Sequence, residues 1–162
     1  MATKDQYEFF RSLYDEEERT SLQLEGRAKV YLGIISAFLV TIFLKTDDAI
    51  NSASKLKIPF PLLLVEALFF SAALAFVLFA LRIREFEAVN DGVRIIEEAT
   101  NDGPTDEQFF EDRIVDYAFA SSRNRQINNE TSSALARAAW LLIAGMIFLV
   151  VIAILALWVN RK

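Results

Sequence analysis

One carboxylate stands inside an apolar run of a chain that has no histidine and no cysteine. Glu66 follows Leu62, Leu63, Leu64 and Val65 and precedes Ala67, Leu68, Phe69 and Phe70. In hydrocarbon such a charge is costly unless it is protonated, paired or wetted. Two roles suit it. It can line a pore, sense a proton or coordinate an ion. It can equally be a group about one and a half turns below the outer surface, close enough to pair with Lys45, Lys55 or Lys57.

The densest polar stretch is Arg123-Asn124-Arg125-Gln126-Ile127-Asn128-Asn129-Glu130. Asn124 and Asn128 lie four apart and can form an interhelical polar seam, which fixes register at some cost in stability. With Arg125 they read as a gate, a ligand contact or an anionic-lipid site. The plainer reading is a solvated helix face carrying membrane-flanking arginines. Small residues form a third group. Ser71 and Ala75, and Ala134 and Ala138, can let helices approach closely, within one subunit or between subunits.

Other chemistry lacks its parts. Without histidine or cysteine, disulfides, thiolate chemistry and nearly every zinc site are excluded, and a usual nucleophile–base pair cannot be built. There is no phosphate-cradling glycine loop and no Gly-x-Ser-x-Gly elbow. Asp47-Asp48 and the acids of residues 15–18 could hold a cation, although charge runs are usually solvated. The expectation is a protein that is no enzyme and has no cofactor. A net charge of −5 and the lack of a basic patch argue against nucleic acid as a partner.

The elements that position these residues follow from three apolar runs, residues 30–44, 58–81 and 138–159, of which only the second holds a charge. Spanning about 30 Å of hydrocarbon takes roughly 20 helical residues. The second and third runs meet this. The first is about 22 Å long by the same rise, and Lys29 and Lys45 frame it and can snorkel; the alternative is a buried or interfacial helix. A long polar segment containing Asp15-Glu16-Glu17-Glu18 precedes it, unlike the short basic start of a secretory signal.

Residues 5–44 read as one helix, with Tyr7, Phe10 and Tyr14 at helical spacing and a charged, solvated middle. Pro59 and Pro61 punctuate the start of the second helix, and Phe86, Val89, Val93 and Ile96 carry its stripe beyond the membrane. Asn101-Asp102-Gly103-Pro104 stops it, and Thr105-Asp106-Glu107-Gln108 is a capping box for the next. The stripe Phe110, Ile114, Tyr117, Ala118, Ser121 then leads into the third span, with a break expected near Asn128-Asn129. Lys and Arg near the membrane ends favour an inside N-terminus.

The expected fold is therefore all-α: an integral membrane protein with three long transmembrane helices extending into a small cytoplasmic bundle. Its parts are a cytoplasmic helix (1–29), three spans (30–44, 58–81, 138–159), an outer loop (45–57), a cytoplasmic helical hairpin (82–137) and a tail (160–162).

This layout resembles the small membrane effector modules of bacterial anti-phage systems, the Pycsar transmembrane effector and the related SLATT domains. The resemblance rests on Glu25-Gly26-Arg27-Ala28-Lys29-Val30-Tyr31-Leu32-Gly33 entering the first span, the hairpin of residues 46–61, and residues 117–137 with Asn124-Arg125-Gln126-Ile127-Asn128. It implies a homo-oligomer that compromises the bacterial inner membrane once an activating protein or nucleotide-sensing partner triggers it. The expectation is that this chain departs from modules with a fused sensor in having no room for one, so that the trigger comes from a partner or from a ligand bound by the short cytoplasmic bundle. The rival expectation is a non-conducting accessory or anchoring subunit of a larger membrane complex, held through Phe86, Val89, Val93 and Ile96 or through Tyr7, Phe10 and Tyr14.

Overall fold

The computed structural model describes residues 3–44, 60–82 and 106–160. They form three helices and, among the described residues, no strand: α1 (Lys4–Leu44), α2 (Phe60–Arg82) and α3 (Asp106–Asn160). Two of them contain segments long and apolar enough to cross a membrane, Leu64–Arg82 in α2 and Gln108–Leu155 in α3. The apolar end of α1 is not among them. The expected outer loop, the Phe86–Ile96 stripe, the Asn101–Pro104 stop and the Thr105 cap lie outside the described residues.

Helix α1 starts on a capping box of its own. Thr3 Oγ1 accepts from the Gln6 amide at 3.3 Å, and Gln6 Oε1 accepts from the Thr3 amide at 3.1 Å. Two amides that would lack intrahelical partners are thereby satisfied. Asp5 in the first turn adds favourable charge at the positive end of the helix dipole. In α2, Phe60 and Pro61 are the first two helical residues, where a missing proline N–H removes no helical hydrogen bond.

Helix α3 is unbroken over 55 residues, so the break expected near Asn128-Asn129 is absent. The Asn128 side chain reaches a neighbouring helix instead of competing for its own backbone, the usual way asparagine interrupts a helix.

The chain divides into two compact units. The first comprises Met1–Leu24 and Ile83–Glu130. Within it α1 and α3 run in the same direction: Tyr7 packs on Phe110 and Tyr117, Tyr14 packs on Tyr117, and Glu17 meets Asn128. The aromatic centroids lie 5.5–5.7 Å apart, two of the three pairs edge-on, the arrangement favoured by ring quadrupoles.

The second unit comprises Glu25–Arg82 and Thr131–Lys162. Its interior holds Ala28 and Ile35 of α1, Phe70, Ala73, Val77 and Ala80 of α2, and Ala134, Ala138 and Leu142 of α3. Phe38 stacks on Phe70 at 4.9 Å. Helices α2 and α3 are antiparallel here, since Phe69 faces Gly145 while Phe76 lies under the Arg137 guanidinium, 5.8 Å from its ring centre. The many buried alanines let the helix backbones draw close.

Candidate functional site

Helix α2 presents Glu66 to α3. The side chain is 5% exposed, and neither carboxylate oxygen has a hydrogen-bond partner among the described residues. Its neighbour is Gly145. A Cβ on that glycine would stand 3.4 Å from Phe69 Cβ, 3.6 Å from Glu66 Oε1 and 3.7 Å from Phe70 Cε2. These are ordinary contact distances, so the α3 backbone lies close to α2 with room left for one methyl group. Glu66 therefore faces a neighbouring helix of its own chain. Chemically, an enclosed carboxyl group can hold one proton or meet one cation. Among the described residues no cluster of three or more metal-ligating side chains exists. Lys45, Lys55 and Lys57, the partners considered from sequence, lie outside the described residues.

The asparagine cluster lies in the first unit. Asn128 is 5% exposed and donates its side-chain amide to the Glu17 backbone carbonyl at 2.9 Å and to Glu17 Oε2 at 2.8 Å. Asn124, one turn earlier, is fully buried. Arg125 is exposed, as are Arg123 and Asn129. The polar stretch is thus divided by helical phase, with two asparagines inward and the arginines outward.

The small residues also divide. Ala134 and Ala138 are buried in the second unit, whereas Ser71 and Ala75 are exposed on α2. A common role for the two pairs is not what the packing gives: one pair is buried within the chain and the other faces outward.

Three features escaped the reading from sequence. Arg113 is 4% exposed, with Nη1 3.3 Å from Asp116 Oδ2 and its guanidinium 5.7 Å from the Phe109 ring centre. Glu17 belongs to an acidic run that reads in sequence as solvated, yet it accepts from Asn128 while Asp15, Glu16 and Glu18 are exposed. Tyr117 is held neutral to higher pH than an ordinary phenol, first by burial, then by its hydrogen bond with Tyr7. Phase along α3 carries the signal for Arg113: among the buried positions, 113, 120, 124, 128, 131, 135, 138, 142 and 145 recur at spacings of three, four and seven.

No family model matches the chain, and neither the curated proteins nor the solved structures contain a match to it.

Proposed function

We propose that this chain is a multi-pass protein of the bacterial inner membrane that acts as a homo-oligomeric effector or channel-like module, perturbing or permeabilising the bilayer, with a role in anti-phage defence. The N-terminus and the first unit are cytoplasmic, residues 30–44 form a third span, and an activating protein or nucleotide-sensing partner supplies the trigger.

The observation that carries this reading is the Glu66 carboxyl group enclosed against Gly145 within an apolar segment. A leucine would pack there without the cost of dehydrating an acid, so an ionisable residue at such a place argues for use in function. Two further observations support the membrane location. Only 28% and 22% of the most apolar windows of α2 and α3 are buried, whereas a core helix of a water-soluble protein is mostly covered. Arg123, Arg125 and Arg137 precede the apolar part of α3, as the positive-inside rule expects of a cytoplasmic end. Ser71 and Ala75, exposed one turn apart on α2, offer a place for protomers to approach.

The test is conductance of the full-length protein in planar bilayers, wild type against Glu66→Gln, together with growth arrest on expression. Altered selectivity or toxicity supports the proposal. Unchanged conductance and toxicity would make Glu66 structural and remove the main support.

A second reading, a non-conducting accessory or anchoring subunit, is favoured by a different observation. Among the described residues, the exposed side chains within 64–81 and 138–159 are apolar apart from Ser71, with Leu64, Leu68, Phe79 and Ile147 among them, and they offer little polar wall for an aqueous lumen. Single-particle images decide between the two: a closed ring of identical chains supports the effector, and a stoichiometric complex with another protein supports the accessory subunit.

A further inference from the structure

The chain has two tryptophans, Trp140 and Trp158, and both lie on α3. They are 72% and 59% exposed. Eighteen residues separate them, which is about five full turns at 3.6 residues per turn, so the two rings leave the helix on one face. Along the axis they are about 27 Å apart at 1.5 Å per residue. Ile147, Val151 and Ile154 occupy the same face between them and are also exposed. No charged residue occurs in residues 138–159.

An exposed apolar stripe of this height, with an amphipathic ring at each end, matches the hydrocarbon thickness of about 30 Å and the preference of tryptophan for the headgroup level. We propose that this face of α3 is a lipid-contact surface, covered by acyl chains, with Trp140 and Trp158 at the two headgroup levels. The inference rests on the membrane-spanning reading above and adds the register of the bundle to it. The side chains favour lipid over a second copy of the chain. Close helix–helix contact in membranes uses small residues, and this face carries tryptophan, isoleucine and valine.

The register assigns a depth to Glu66. Gly145 lies five residues from Trp140 and thirteen from Trp158, about 7.5 Å and about 20 Å along the helix. The carboxyl group beside Gly145 then lies within the hydrocarbon, nearer the Trp140 boundary, which is the cytoplasmic one in the orientation proposed above, and not one and a half turns below the outer surface as the sequence suggests.

The test is fluorescence of the full-length protein in vesicles containing lipids brominated either near the headgroup or near the chain ends. Trp140→Phe and Trp158→Phe each leave a single reporter, and tyrosine replaces phenylalanine where yield falls. The expected result is that each reporter is quenched about twofold more by bromine near the headgroup than by bromine near the chain ends. A reporter quenched most by bromine near the chain ends overturns the register. Reporters untouched by either lipid, in protein that floats with the vesicles and resists carbonate, show a face covered by protein and overturn the inference while leaving the membrane reading standing. Protein that does not float with the vesicles overturns both.

Discussion

A side chain added to Gly145 of α3 would meet Glu66 Oε1 of α2 at 3.6 Å and Phe69 Cβ at 3.4 Å. These are ordinary contact distances, so the gap between the helices holds one methyl group and little more. Gly145→Ala is expected to fold with stability unchanged or raised by up to about 1 kcal/mol, through better helix propensity. Gly145→Leu overpacks the same gap and is expected to cost about 1–3 kcal/mol. Unfolding of the detergent-solubilised protein measures both. A leucine variant as stable as the parent would contradict the close approach.

The bond from Asn128 to Glu17 makes a prediction about charge. Asn128→Ala removes a buried donor and is expected to destabilise the first unit by about 1–3 kcal/mol. Asn128→Asp places a second carboxylate against the Glu17 side chain and is expected to cost more than alanine does. Glu17→Gln should then recover part of the aspartate defect and none of the alanine defect. Hydrogen exchange in residues 7–24 of α1 reads the outcome; an aspartate defect insensitive to Glu17→Gln would place the two side chains apart.

Tyr117 predicts a dependence on pH. Its phenol keeps its proton above the ordinary value of 10.0, because of burial first and then the hydrogen bond and field of Tyr7, with Asp15 adding to the shift and Arg11 opposing it. A raised folded-state value means that the unfolded chain loses this proton first. The stabilisation is therefore complete below the unfolded value and is lost as pH rises through the folded one. Unfolding between neutral and strongly alkaline pH should show the first unit weakening at the alkaline end, and Tyr117→Phe should flatten that decline. An equal decline in the phenylalanine variant would assign it to other groups.

The two pairs of small residues should behave differently when enlarged. Ala138→Leu fills a fully buried site and is expected to lower the stability of the second unit by about 1–3 kcal/mol. Ser71→Leu and Ala75→Leu lie on an exposed face and are expected to leave stability within about 0.5 kcal/mol. If α2 mediates self-association, the latter two shift the mass of the particle in detergent toward the protomer. Unchanged assembly in both would remove α2 from the contact between subunits.

Periodicity carried the helices well. The reading of residues 5–44 as one helix agrees with α1, because no proline and few glycines interrupt it, and Tyr7 and Tyr14 face the first unit's interior as their spacing indicates. Residue type misled where phase should have ruled. Arg113 reads in sequence as one more charged residue between Phe110 and Ile114, although it sits on the buried seam of α3. Glu17 reads like its acidic neighbours, because a run of charge hides the one member that helical rotation turns inward. The closeness of Gly145 to Glu66 was not legible at all: 79 residues separate them, and only the pairing of α2 with α3 joins them. The first apolar run was long enough to suggest a span, but at about 22 Å it falls short of the usual length.

Asn128 and Glu17 are bonded across a separation of 111 residues. A ribosome finishes the first half of α1 long before it reaches the residues of α3 that cover it, and all of α2 is made in the interval. During that time Tyr7 and Tyr14 have none of their α3 partners, and the helix rests on local terms such as the Thr3–Gln6 cap. The first unit can close only after residue 128 has been translated. A chain stalled or cut before α3 would carry a bare aromatic stripe into the cell, where chaperones and proteases would be the first proteins to meet it.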